Sequence, residues 1–288
     1  MADLQTIQIF LPSGDPQGLR VAEITTSMIS VIEVPRSLLA EFLKRWEAKQ
    51  VGVYYLVGPS EEGDGYRLYI GQSGNVGSRL AQHDADHKAD RDFWTRALIV
   101  VSRANSFNQA HALFLEWLGI TNAKEVGRDG LANVNVPERP HVSEPLKAEC
   151  ENFQNAARIL LTTLGYPFFE KVGKYRTEKN EEFYCRSKRG AEARGLYTPE
   201  GFVVLRGSRC HELAAQRIAR QRKRLIAESV LRVDQGQVVF TKDHLFKKPS
   251  PAAEVILGRS ANGWTVWKNA ADQTLDEVCR KGVSTVTG

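Results

Sequence analysis

Residues 51–83 read VGVYYLVGPSEEGDGYRLYIGQSGNVGSRLAQH, and this stretch decides the fold of the first half of the chain. The run 51–57 is continuously apolar, as a strand covered on both faces must be. Residues 58–65 form a turn-rich, acidic loop, and 66–71 supply a second strand. Beyond it the pattern predicts a helix over 76–87 and a strand over 94–102. A further helix is opened by Asn105 or Ser106 and runs to about 118. The block 51–135 therefore reads β-β-α-β-α.

Working outward, TIQIF alternates at period 2 and a second extended run covers 23–34, with a Pro/Gly turn between them. Pro35-Arg36-Ser37 opens a helix carrying Leu38, Leu39, Phe42, Leu43 and Trp46 on one side. These residues, 1–50, are expected to extend the sheet of the middle block. Polar, Pro-bearing sequence at 133–145 marks a boundary, after which Pro145 starts a connecting helix. Residues 136–194 read as a linker with that helix. A compact unit follows over 195–280: a strand at 201–205, a helix around 210–229, a strand at 237–241, a helix from Ser250-Pro251 to Gly258, and a strand at 264–267 after Asn262-Gly263. The fold class expected is α+β: a small three-stranded sheet flanked by helices, an N-terminal β extension and a second, C-terminal α+β domain.

The 288 residues suffice for two domains, and a net charge of +5 with a pI near 9.0 is compatible with nucleic acid without requiring it. The apolar run 97–101 is far short of the ~20 residues that cross a bilayer, so no membrane partner is expected. The N-terminus lacks the pattern of a signal peptide. Cys150, Cys185, Cys210 and Cys279 form no C-x-x-C pair, which speaks against a structural zinc site and for free thiols in a reducing cytoplasm.

Chemistry concentrates in the middle block. Glu116 is the only formally charged residue in 104–123, on a helix apolar on most faces. A carboxylate there costs several kcal/mol unless it sits at the rim, bonds a neighbouring hydroxyl, or binds a metal. A single carboxylate suits a magnesium ion that keeps most of its waters and borrows ligands from a phosphate. Arg79 and His83, four apart, share one helix face, with His87 one turn further on, where a surface histidine is the simpler reading. Gln72, Ser73 and Gly74 stand at the start of that helix, where backbone N–H groups favour an anion. Tyr54 and Tyr69 place hydroxyls on adjacent strands, and Tyr55 points to the opposite face as packing.

The ordered series Gly52-Val53-Tyr54, Tyr69-Ile70-Gly71, Arg79 with His83 four later, Glu116 and Asn133 resembles the GIY-YIG nuclease family, with Val53 where the family has Ile. The resemblance covers about 85 residues. It implies an endonuclease cleaving nucleic acid, DNA ahead of RNA, with Mg2+ or Mn2+ held by Glu116. It implies that Tyr54 is the general base, that Tyr69 is a second hydroxyl at the phosphate or water, and that Arg79 lies on the scissile phosphate. His83 would orient the base or a proton, and Asn133 would stand at the site edge, where Asn135 fits almost as well. The other reading is a module or adaptor that keeps this fold and binds nucleic acid without cutting it.

The segments GLYTPEGFVVLRGS and PSPAAEVILGRSANGWTVWKN resemble an uncharacterised domain often fused to GIY-YIG modules, which implies no activity of its own. Between them, Arg217, Arg220 and Arg224 make a basic stripe, with Arg222 and Lys223 adjacent. The stripe reads equally as phosphate contacts or as a solvated helix face. Arg20 and Arg36 are further candidates for phosphate contacts, and one of Trp264 and Trp267 is expected in the core with the other free to cover the sheet or stack on a base.

Overall fold

The computed structural model describes residues 4–60, 63–86, 92–127, 130–170, 181–188 and 190–280. The chain is α+β and divides into two compact units, 1–170 and 171–288. The expected boundaries shift accordingly, because the helix expected in the linker belongs to the first unit, and the strands at 182–186 and 192–198, which begin within the expected linker, belong to the second.

The first unit is built on one six-stranded sheet. Its strands are β1 (Ile7–Phe10), β2 (Arg20–Ile24), β3 (Ile29–Pro35), β4 (Gly52–Ser60), β5 (Gly63–Ser73) and β6 (Arg96–Ser102), in the order β1-β2-β3-β6-β4-β5. Every adjacent pair is antiparallel. The single extended run expected over 23–34 is split in two, because Ser27 N–H closes a turn on the carbonyl of Ile24. The helix expected after Pro35 is only α1 (Leu39–Phe42) between 3₁₀ turns at Arg36–Leu38 and Trp46–Lys49, and Trp46 lies exposed.

Alternation along β4 splits its side chains between two cores. Tyr54 and Leu56 face α1 and α2 (Val76–Ala85), together with Phe42, Val76, Leu80 and Trp94. Val53, Tyr55 and Val57 face α3 (Gln109–Val126) and α4 (Glu144–Thr163). Helix α3 starts later and runs further than the sequence suggests. Asn108 caps it by accepting the N–H groups of Ala110 and His111, whereas Asn105 has a left-handed φ of 52° outside the helix. Helix α4 packs Phe153, Ala157, Leu160 and Leu161 into this second core, so it covers the sheet and does not link domains.

One carboxylate is fully buried in this layer. Glu33 accepts hydrogen bonds from Arg20, from Arg96 at 2.8 Å and from the Tyr166 hydroxyl at 2.8 Å. The expected phosphate contacts at Arg20 and Arg36 are therefore corrected. Arg20 neutralises Glu33, and Arg36 is ion-paired with Asp84 and Asp92 while its guanidinium stacks 4.7 Å over the Trp94 ring.

The second unit holds a four-stranded antiparallel sheet, with β7 (Glu182–Arg186), β8 (Glu192–Thr198), β9 (Gly201–Val204) and β12 (His244–Phe246) in the order β12-β9-β8-β7. A separate ribbon pairs β10 (Leu231–Asp234) with β11 (Gln237–Phe240). Helices α5 (Gln216–Ala227), α6 (Pro249–Leu257), α7 (Gly263–Val266) and α8 (Leu275–Cys279) complete it. The strand expected at 264–267 is in fact helix α7. The Asn262 side chain accepts the N–H of Trp264 and so starts a helical turn, where the Asn-Gly pair had suggested a hairpin. Trp267 is fully buried, and one face of Trp264 is occupied by Arg280 at 3.5 Å.

The four cysteines are free thiols. Burial pushes those of Cys150, Cys185 and Cys210 up to about 12. Among the described residues no helix is long and apolar enough to cross a membrane.

Replacing Glu33 by Ala would leave Arg20, Arg96 and the Tyr166 hydroxyl without their acceptor. A loss of about 2–4 kcal/mol in urea unfolding is expected, the partial exposure of both arginines keeping it below the fully buried limit.

Candidate active site

The two triplets meet across one strand pair. In the β4–β5 register Tyr54 lies opposite Gly71 and Leu56 opposite Tyr69, so both tyrosines share the α2 face on a diagonal, with ring centroids 6.3 Å apart. The glycines are sterically required. A Cβ on Gly71 would stand 2.4 Å from the Tyr54 hydroxyl oxygen, and one on Gly52 would stand 2.6 Å from the carbonyl of Val100. The bare α-carbon of Gly71 is the space in which the Tyr54 ring lies.

Helix α2 brings the next two residues. Asn75 caps it by accepting the N–H of Ser78 at 2.9 Å, so the anion site anticipated at this helix start is partly served from within the chain. Arg79 and His83 then face the sheet together. The Tyr54 hydroxyl lies 2.9 Å from Nε2 of His83, and Nε of Arg79 donates to it at 3.3 Å. Arg79 is a donor only, so the phenol oxygen accepts from Arg79, and the direction of its bond to His83 Nε2 is set by the imidazole tautomer. Tyr69 packs edge-on against His83, centroids 5.6 Å apart, and hydrogen-bonds Arg79. Burial pushes the Tyr54 phenol well above the ordinary tyrosine range, with the Arg79 hydrogen bond pulling the other way.

Glu116 arrives from the opposite face of the sheet. Strand β5 is the sheet edge, and alternate residues turn their backbone groups outward. Leu68 pairs with the backbone of Gly130 and Ala132, and Ile70 with both atoms of the Asn133 amide, at 2.9 and 2.8 Å. Next along the edge, the Gln72 N–H is taken by the half-buried carboxylate of Glu116. Burial raises the Glu116 carboxyl above its ordinary range, opposed by that N–H and by the charge of Arg79. The same α3 face ties the Gln109 amide to the Gln72 side chain at 2.9 Å.

The structure thus brings together Tyr54, Tyr69, Arg79 and His83 in direct contact, with Glu116 within electrostatic reach of Tyr54 and Arg79. Asn133 is distinguished from the exposed Asn135. Its amide stands in for a strand, so it positions the Tyr69-Ile70-Gly71 backbone and does not face the hydroxyls. Tyr55 packs on the far face against Phe168 and Phe169. His87 lies outside the described residues.

The basic stripe of the second unit is uneven. Arg220 is exposed, but Arg217 is paired with Glu254 at 2.6 Å and Arg224 with Glu228 at 3.4 Å. Arg222, which the sequence reading set beside the stripe, is buried. It donates to the carbonyls of His211, Val255 and Ile256, a role that an arginine in a run of basic residues does not announce.

Residues 183–279, running from β7 through α8, match the family described as a domain of unknown function (DUF4357). No curated protein and no solved structure matches the chain.

Gly71→Ala is expected to displace Tyr54 and cost about 1–3 kcal/mol in chemical denaturation, the usual range for overpacking. For Glu116, a carboxyl raised in the folded chain contributes stability at acid pH and loses it as pH rises through the folded value. Glu116→Gln is therefore expected to match wild type in melting temperature below about pH 4 and to exceed it at neutral pH.

Proposed function

We propose that the chain is a metal-dependent nuclease of the GIY-YIG type that hydrolyses phosphodiester bonds in nucleic acid, DNA ahead of RNA. The observation that carries this reading is the convergence on one strand end of a phenol, an imidazole, a guanidinium and a carboxylate. Hydrolysis at phosphorus needs a base for water, neutralisation of the phosphate and help for the leaving oxygen. The Tyr54 hydroxyl is 2.9 Å from His83 Nε2 and donates to it when that nitrogen carries no proton. As the water oxygen bonds to phosphorus and the scissile P–O bond breaks, the water proton passes to the Tyr54 oxygen and the Tyr54 proton to His83, while the departing oxygen takes a proton from solvent. Burial disfavours phenolate, so this concerted relay supplies what a free tyrosine cannot. Arg79 holds the Tyr54 oxygen by its hydrogen bond and would neutralise the phosphate, and Tyr69 offers the second hydroxyl.

Glu116 is the residue that would hold Mg2+ or Mn2+. Among the described residues no group of three metal-ligating side chains occurs, and a lone carboxylate fits a cation that retains its waters and takes a phosphate oxygen. When bound, such an ion supplies Lewis-acid neutralisation of the phosphate and lowers the pKa of a coordinated water. The four free thiols suit a reducing compartment such as the cytoplasm.

The second unit adds the electrostatic part. Residues 171–288 hold 23 basic and 13 acidic residues, a net +10, whereas residues 1–170 hold 16 and 21, a net −5. A catalytic unit of like charge to its substrate gains from a cationic one on the same chain.

The test is a cleavage panel of single-stranded, duplex and branched DNA and of RNA, with and without Mg2+. Glu116→Ala and Arg79→Ala are expected to lower cleavage at least about 100-fold with melting temperatures near wild type. Equal cleavage by wild type and Glu116→Ala would sink the proposal. Salt-dependent binding without turnover in any arm would identify instead a binding module or adaptor that keeps the fold.

A further inference from the structure

A cavity of about 550 Å³ opens in the second unit, lined among others by Ser187, Lys188, His211, Leu213, Leu257 and Arg259. Its wall is held rigidly. Gly258 adopts a left-handed φ of 70°, and a Cβ there would stand 2.0 Å from the carbonyl of Leu213. The N–H of Ala215 donates to the carbonyl of Gly258 at 2.8 Å, fastening the loop before α5 to the end of α6.

Lys188 and Arg259 line this cavity, and a third cation lies behind it. Arg222 lies behind it, 4% exposed, and donates to the carbonyls of His211, Val255 and Ile256. These acceptors are neutral, and among the described residues Arg222 has no carboxylate partner. Val255 and Ile256 lie in the last turn of α6, so the guanidinium caps the negative end of that helix from behind the cavity. On the open side Lys188 and Arg259 are exposed and also have no carboxylate partner among the described residues, unlike Arg209, Arg217 and Arg224. Nδ1 of His211 lies 3.1 Å from the N–H and 3.0 Å from the carbonyl of Leu213, and Nε2 is on the other side of the ring. Helix α5 starts at this wall with Ala215 as its cap, so no side chain covers its first N–H groups.

We propose that this cavity binds the phosphate monoester of a nucleotide, borne either by the end of a nucleic-acid strand or by a free nucleoside monophosphate. A monoester carries up to two negative charges, matching the cations that line the cavity, and the helix end adds N–H donors. The volume lies in the range of small-molecule sites and exceeds what phosphate alone requires. Leu213, which is 71% exposed, and Leu257 give the remainder an apolar surface for a sugar or base. The inference concerns the second unit alone and does not depend on the nuclease reading of the first.

The experiment uses the full chain carrying Glu116→Ala, in magnesium-free buffer, so that no strand is cut. Calorimetric titrations compare one oligonucleotide with 5′-phosphate, 3′-phosphate and hydroxyl ends, together with adenosine monophosphate and inorganic phosphate. A phosphorylated end is expected to bind at least about tenfold more tightly than a hydroxyl end, with inorganic phosphate competing. Lys188→Ala/Arg259→Ala should abolish the preference at unchanged melting temperature, whereas Arg220→Ala should weaken all strands alike. Lys188→Gln and Arg259→Gln, taken singly, provide the same comparison if the double variant is unstable. Tight binding of the mononucleotide identifies a free nucleotide as the ligand, and tight binding of the phosphorylated strand alone identifies a strand end. Equal affinity for phosphate and hydroxyl ends with no binding of either small phosphate would overturn the proposal. So would a folded double variant that keeps the preference.

Discussion

The Tyr54 phenol lies against the bare α-carbon of Gly71, and the order of the first unit follows from that contact. It fixes the ring over its neighbouring strand and sets the hydroxyl at the height of the first two turns of α2. There Arg79 and His83 meet it from above while Tyr69 flanks it. A side chain at position 71 would lift the ring and uncouple the phenol from the imidazole. The glycine is a vacancy that another residue fills, and the geometry around the hydroxyl depends on it.

The edge of β5 connects this arrangement to the other face of the sheet. Outward-facing backbone groups on an edge strand need partners, and here three different chemistries supply them in succession: main chain at Leu68, a side-chain amide at Ile70 and a carboxylate at Gln72. Glu116 is thereby held at the rim of α3 despite the cost of its burial. The backbone demand of a sheet edge and the placement of a lone acid have one common solution.

Much of this was legible in the sequence. Gly52-Val53-Tyr54 and Tyr69-Ile70-Gly71 sit on paired strands because an apolar run broken by turn residues is a local signal, and Arg79 and His83 share a face because i,i+4 spacing fixes it. What was not legible depends on partners distant in sequence. Nothing near Asn133 says that its amide will bridge Ile70, and nothing in a run of arginines says that Arg222 alone turns inward to meet the end of α6. Arg20 and Arg36 looked like free cations because Glu33, Asp84 and Asp92 approach them only in the folded chain. Asn262-Gly263 is a hairpin signal that a side-chain cap converted into a helix start. The domain boundary moved because a Pro-bearing polar stretch marks a loop, and α4 beyond that loop still returns its apolar stripe to the first sheet.

Strand β6 lies between β3 and β4, although it follows both in the chain. Among the described residues the N-terminal meander and the β4–β5 hairpin therefore have no hydrogen bonds to each other, and residues 96–102 must be inserted to join them. On a ribosome the two pieces emerge first, each with an open edge, and the strand that seals both comes last. The sheet is thus completed in one long-range step, and its two halves gain or lose their stability together. A lineage altering the meander and a lineage altering the hairpin would both be constrained by the seven residues of β6, which makes this strand the point at which changes on either side have to be reconciled.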